Sequence, residues 1–237
     1  MRRALVVHVI AVLALVGGCA GGAPGPAGPP ASGDRSTPSA PRAPCLSQSD
    51  DGLFLTCLRT AIDGVWSREF RATGRDYRSP QLTVGPAGAT AGDHERDLAR
   101  DRAYFSGRSG IHFPTRYLDD VRTTHGTRAH IVLTFTLGHE IGHHVQLLLH
   151  PRFEAPDVDV ETQADCYAGF WAGREAEAGR LDVEEFRSAA QAELRRLSQD
   201  PGEVRSHGSA DRRIESLERG LRATAPPACD VDGLTWR

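Results

Sequence analysis

Gly138-His-Glu-Ile-Gly-His143, followed eighteen residues after its second histidine by Glu161-Thr-Gln-Ala-Asp165, decides how this sequence is read. On a helix, His139 and His143 lie one turn apart and project from the same face, so two imidazole nitrogens can meet a single tetrahedral zinc ion. Glu140 sits about 100° round that turn, close enough to touch a metal-bound water without ligating the metal. A carboxylate from elsewhere in the chain completes a His, His, Glu set and leaves a fourth position open. That is the composition of a catalytic zinc site, not a structural one. The chemistry indicated is zinc-assisted hydrolysis of an amide, with a peptide bond as the foremost candidate.

A bare HExxH also arises by chance, so its surroundings matter. Thr127 is the expected cap of a helix from Arg128 to about Leu149. Ile131, Val132, Leu133, Phe135, Leu137, Ile141 and Val145 make that helix apolar nearly all round, which implies burial on most sides. Inside it, His139 and Glu140 are costly unless a metal or polar partners satisfy them. The extended HExxHxxGxxH pattern fails, because it needs glycine at 146 and histidine at 149, where the chain has Gln146 and Leu149. His150 comes one place too late, beside Pro151, where the helix should stop. His144 points away from the His139/His143 face and is expected behind the ligands or at the surface.

The chain has 237 residues, a formal net charge of −3 and 25% charged residues. With no basic excess, nothing recommends nucleic acid as a partner. Met1-Arg-Arg precedes an apolar run from Ala4 to Val16, too short to span a bilayer and laid out like a secretory signal over residues 1–18. Val16-Gly-Gly-Cys19 is similar to a bacterial lipobox, in which the cysteine is lipidated and becomes the mature terminus. Residues 20–44 are almost entirely Gly, Pro, Ala and Ser. They read as a flexible tether, so 19–44 forms an anchor and linker ahead of a domain at 45–237. The expected location is therefore the extracytoplasmic face of a bacterial membrane.

Four further cysteines remain, Cys45, Cys57, Cys166 and Cys229. An exported compartment permits two disulfides. Three pairings are possible, and a bridge from Cys229 to Cys45 or Cys57 is favoured because it would tie the chain ends together. Cys166, in the middle of a candidate metal-binding helix, is an alternative free thiol.

Ser49 or Asp50 can cap a first helix reaching about Ala72, with an apolar stripe of Leu53, Cys57, Ile62, Val65 and Trp66. Short apolar stretches follow at Gln81–Val84 and Ile111–Pro114, then Tyr117–Val121 as a candidate strand. A loop or short helix is expected over 87–110. A helix from about Val158 to Ala178 carries Glu161 and Asp165, with Phe170 and Trp171 in the core. Asp182 opens another with Glu185 placed as a capping box, and Ser209 caps a last one to about Ala223.

At Gly138–Gln146, Glu161–Ala172 and His207-Gly-Ser209 the chain resembles the bacterial neutral zinc metallopeptidase family of YpfJ-like proteins. Tyr117-Leu-Asp119 is a weaker echo. The resemblance implies an α+β, mostly helical, zincin-like domain with a small sheet and an HExxH active-site helix. It also implies Glu161 as third zinc ligand and Asp165 behind it. Helix geometry agrees: Glu161 and Asp165 are one turn apart, so one can reach zinc while the other holds a ligand histidine. Two departures stand out. The family's cysteine pair before the metal helix is missing, with His112 where a cysteine would be, and Arg212-Arg213 stands where the family tends to have Gln-Arg.

These readings describe a membrane-anchored zinc peptidase acting on peptides or proteins. Zinc-activated water would attack, Glu140 would serve as general base, and His207, or alternatively Tyr167, would share the oxyanion charge. Two other readings use the same residues: a catalytically inactive lipoprotein that binds or scaffolds, and a zinc amidase acting on cell-wall peptides.

Overall fold

The computed structural model describes residues 45, 48–86, 102–152 and 157–236. The expected signal segment, Cys19 and the tether lie outside these residues. The apolar sequence around the HExxH motif forms α3 (Ala129–Leu149), which is buried along most of its length. Around it run α1 (Asp51–Ala72), β1 (Leu82–Gly85), β2 (Tyr104–Ser106), β3 (Gly110–Pro114), α2 (Thr115–His125), α4 (Asp157–Glu177), α5 (Val183–Leu197), α6 (Pro201–His207) and α7 (Ala210–Leu221). A 3-10 turn, Pro226–Cys229, precedes the C-terminal segment. Among the described residues the architecture is α+β and mostly helical with one small sheet, as expected.

Local chemistry accounts for most boundaries. Asp50 caps α1 by accepting from the Leu53 amide at 2.8 Å, and Asp182 caps α5 by accepting from both Glu184 and Glu185. Ser209 caps α7 through the Arg212 amide. Phe54, Ile62, Trp66 and Phe70 bury one face of α1. Trp66 packs there against Tyr167 and Phe170 of α4, with ring centroids 5.2 and 5.5 Å apart. Leu53, assigned to that stripe from sequence, is exposed instead.

Three other expectations need correction. Tyr117–Val121 belongs to helix α2, not to a strand. Tyr117, Leu118 and Val121 are buried while Asp119 and Asp120 are exposed, a spacing that fits 3.6 residues per turn and not alternation. Thr127 does not cap α3, because Gly126–Arg128 form a 3-10 turn that leads straight into the helix. Within the stretch expected as loop or short helix, residues 87–101 lie outside the described residues and Tyr104–Ser106 is a strand.

The sheet has the order β1-β3-β2, with β1 parallel and β2 antiparallel to β3. Gly110 opens β3 at φ 88°, and a Cβ there would lie 2.4 Å from the Gln81 carbonyl oxygen. That carbonyl accepts from the Ile111 amide at 2.8 Å. Glycine thus lets β1 and β3 close at their first rung. His112 stacks on Tyr104 at 4.8 Å within this sheet.

The disulfides are Cys45–Cys57 and Cys166–Cys229. The favoured terminal bridge is therefore wrong, and Cys166 is not a free thiol. The C-terminal 3-10 turn packs on α4, which brings Cys229 to Cys166, whereas Cys45 lies beside α1. The Cys166–Cys229 bridge joins residues 63 apart in sequence. Closing such a loop in the unfolded chain is worth on the order of 4 kcal/mol in the chain-entropy account.

The backbones of α4 and α7 approach closely through glycines. A methyl group at Gly220 would sit 2.0 Å from the Cys166 carbonyl oxygen, and one at Gly169 2.3 Å from that of Leu217. Gly220→Ala therefore forces the two helices apart and is expected to lower stability by about 1–3 kcal/mol. A denaturation midpoint equal to that of the unaltered protein would contradict this packing.

Candidate metal centre

His139, Glu140 and His143 lie on α3, and Glu161 opens the second turn of α4. The antiparallel packing that follows from the short α3–α4 connection sets the two helices face to face. The Nε2 atoms of His139 and His143 are 3.1 Å apart. Glu161 brings Oε2 to 3.1 Å from His139 Nε2 and Oε1 to 3.5 Å from His143 Nε2. One ligand atom from each of the three residues falls within 4.8 Å of the others, and this is the one such cluster among the described residues. Glu161 Oε2 is buried and makes no hydrogen bond of acceptable geometry. Two ring nitrogens and a carboxylate oxygen converging on one point, with a buried oxygen unsatisfied, fit a divalent cation of borderline softness such as zinc.

Each histidine is held from behind. Nδ1 of His139 bonds Asp165 Oδ1 at 2.9 Å. Asp165 is fully buried and receives two further bonds from Arg213 of α7, Nε to Oδ2 at 2.7 Å and Nη2 to Oδ1 at 2.9 Å. Guanidinium only donates, so Asp165 stays an acceptor and His139 Nδ1 carries a hydrogen. The nitrogen facing the cluster is then Nε2. Nδ1 of His143 bonds Oε1 of Gln146 at 2.9 Å.

Electrostatics agrees with this geometry. Burial works against a charge on His139, yet the carboxylates of Asp165 and Glu161 outweigh it and hold its pKa up at about 10. His143 is raised in the same way, burial being overcome by Glu161 and Glu140. Burial also opposes the charges of Glu161 and Asp165. The two histidines hold Glu161 well below the ordinary carboxylate range, and Arg213 with His139 depresses Asp165. Protons on these rings occupy the nitrogens that a metal needs, so protons and metal compete for one site. Glu140 is the exception among the acids. Burial pushes its carboxyl up despite the nearby His139 and His143.

Glu140 and His139 line a cleft with Tyr117, Glu203 and His207. His207 ends α6, a short helix with no counterpart in the sequence reading, which Asp200 caps and Pro201 starts. Its Nδ1 bonds Ser206 Oγ at 2.7 Å, and its Nε2 lies 3.9 Å from Glu161 Oε1. Tyr167, the alternative oxyanion donor, is a core residue packed on Trp66 and Trp236 and takes no part in the cleft. His144 is buried away from the cluster, and its Nε2 donates to the Arg78 carbonyl at 2.6 Å.

Sequence reasoning missed Arg213, Gln146 and Tyr117, whose hydroxyl bonds Thr136 Oγ1 at 2.9 Å at the cleft wall. Arg213 left a readable signal. It shares one helical face with Leu217 and Gly220, and an arginine on a buried stripe implies an acid opposite.

Residues 4–231 match the family described as "Putative neutral zinc metallopeptidase". The chain belongs to that family. Among relatives, "Uncharacterized protein YpfJ" of Escherichia coli strain K12 is 25% identical over 210 residues, 79% of this chain and 73% of the relative. "Uncharacterized protein Rv2575" of Mycobacterium tuberculosis strain H37Rv is 25% identical over 231 residues, 84% of this chain and 78% of the relative. No solved structure matches the chain.

Proposed function

We propose that this member of the family is a zinc metallopeptidase that hydrolyses peptide bonds, held by a lipid on Cys19 at the extracytoplasmic face of a bacterial membrane. The carrying observation is the convergence of His139, His143 and Glu161 with Glu140 beside them in a cleft. When bound, zinc supplies a Lewis acid that polarises a carbonyl and lowers the pKa of water to about 7. His139, His143 and Glu161 are the residues that would hold it.

The remaining chemistry belongs to side chains. Glu140 accepts a proton from the attacking water and delivers it to the leaving amine. Its raised pKa, caused by burial, suits a group that must do both near neutral pH. His207, whose Nε2 lies 3.9 Å from Glu161 Oε1, is the donor for the oxyanion. Tyr117 and Phe135 give the cleft an aromatic wall. Glu140 also argues against a purely structural site, since a buried carboxyl with no task would be a net cost.

The lipobox-like Val16-Gly-Gly-Cys19 and the Gly/Pro/Ala/Ser-rich 20–44 support the anchor. Two or more acyl chains on one cysteine hold a protein stably, where a single chain does not. Cys19→Ser is expected to move the protein out of the membrane fraction or leave an unprocessed precursor. A mature terminus elsewhere, free of lipid by mass spectrometry, refutes the anchor.

Glu140→Gln keeps the size of the side chain and removes its basicity. It is expected to retain stoichiometric zinc while turnover of an unfolded-protein or peptide-library substrate falls by about 10²–10⁴-fold. If fully zinc-loaded unaltered protein cleaves none of these substrates, and the variant behaves identically, the peptidase assignment fails.

A further inference from the structure

Two buried amides join His143 to the C-terminal segment, and the direction of each hydrogen bond along them is set by the backbone carbonyls of Cys229, Leu234 and Val160. Gln163, on α4, donates from Nε2 to the backbone carbonyls of Cys229 at 3.1 Å and Leu234 at 2.8 Å. A carbonyl can only accept, so the amide nitrogen of Gln163 must face the C-terminal segment and its oxygen must face α3. There Gln163 Oε1 accepts from Gln146 Nε2 at 3.0 Å. The second hydrogen of Gln146 goes to the Val160 carbonyl at 2.8 Å. With both hydrogens committed, Gln146 presents only its oxygen to His143 Nδ1 at 2.9 Å. Nδ1 must then donate, and Nε2 is the nitrogen turned towards His139 and Glu161.

We propose that Gln163 and Gln146 are positioning residues, and that the C-terminal segment, together with the Val160 carbonyl, acts through them to fix the tautomer and ring orientation of His143 for metal binding. This rests on the zinc site proposed above. The two histidines are thus held by different means, His139 by a charged carboxylate and His143 by a neutral chain of amides. Both glutamines are almost fully buried, where an amide without partners costs about 1–3 kcal/mol. The end of the chain of bonds is itself fixed twice. Cys229 is bonded covalently to Cys166, three residues from Gln163 on the same helix. Leu234 is paired with Val231 through reciprocal backbone bonds of 3.0 and 3.2 Å. A ligand histidine whose second nitrogen is fixed in this way binds metal tighter, and removal of such support typically costs 10–100-fold in affinity.

The test uses the full chain, with zinc affinity measured by competition against a chromophoric chelator and melting temperature followed beside it. Gln163→Met removes the polar atoms of the second amide and leaves in place Gln146, the residue bonded to His143. It is expected to weaken zinc binding by about 10–100-fold. Loss of three buried bonds also destabilises the fold, so a second pair of variants separates the effects. Gln146→Glu and Gln146→Met both lose the bonds to Val160 and Gln163, but only the glutamate keeps an acceptor for His143 Nδ1. With similar falls in melting temperature, Gln146→Glu is expected to hold zinc about tenfold or more tighter than Gln146→Met. Equal affinities in that pair, or unaltered affinity in Gln163→Met, overturn the positioning role while leaving the zinc site standing. Unaltered protein that takes up no zinc overturns both.

Discussion

A fully buried carboxylate, Asp165, meets a buried guanidinium, Arg213, behind His139, and the candidate metal centre depends on that pair. Removing two charges from water costs several kcal/mol each, and only a well-made ion pair with further hydrogen bonds offsets it. Arg213 supplies a bidentate fork, and His139 donates one more bond to the same carboxylate. The pair adds little to stability on this accounting. What it does is keep a carboxylate ionised in the interior, where it can hold a histidine ring in one orientation.

That requirement reaches back into the helix packing. Arg213 sits on α7 and Asp165 on α4, so the fork closes only if those helices approach unusually closely. Gly169, Gly173 and Gly220 remove the Cβ atoms that would prevent it, each facing backbone of the other helix at under 3 Å from where a Cβ would stand. The Cys166–Cys229 bridge then fastens the following segment to α4. Small residues, an ion pair and a disulfide thus combine to hold α7 and the C-terminal turn on α4, while Gly142 of α3, where a Cβ would lie 2.9 Å from Ala164, lets α4 carry Glu161 up to the two histidines.

Much of this was legible from residue patterns. The HExxH spacing, the apolar environment of α3, the Asp182 and Ser209 caps and the α4 turn holding Glu161 and Asp165 follow from helix periodicity and capping chemistry, which are local. What was missed is non-local or ambiguous. Tyr117–Val121 reads equally as a short strand until the exposed Asp119 and Asp120 are given weight. Cysteine pairing depends on which helix the C-terminal turn meets, and four cysteines alone leave three answers. Gln146 and Gln163 look like ordinary polar residues in sequence. Their roles appear only when α3, α4 and the chain end are brought together.

The central claim is that a single zinc ion sits where His139, His143 and Glu161 converge. Diffraction from crystals of zinc-loaded protein, recorded on both sides of the zinc absorption edge, tests it directly. The account predicts one anomalous peak per chain, about 2.0–2.2 Å from Nε2 of His139, Nε2 of His143 and a carboxylate oxygen of Glu161. A peak at some other group of residues, or none at this cluster in protein carrying one zinc per chain, would contradict it.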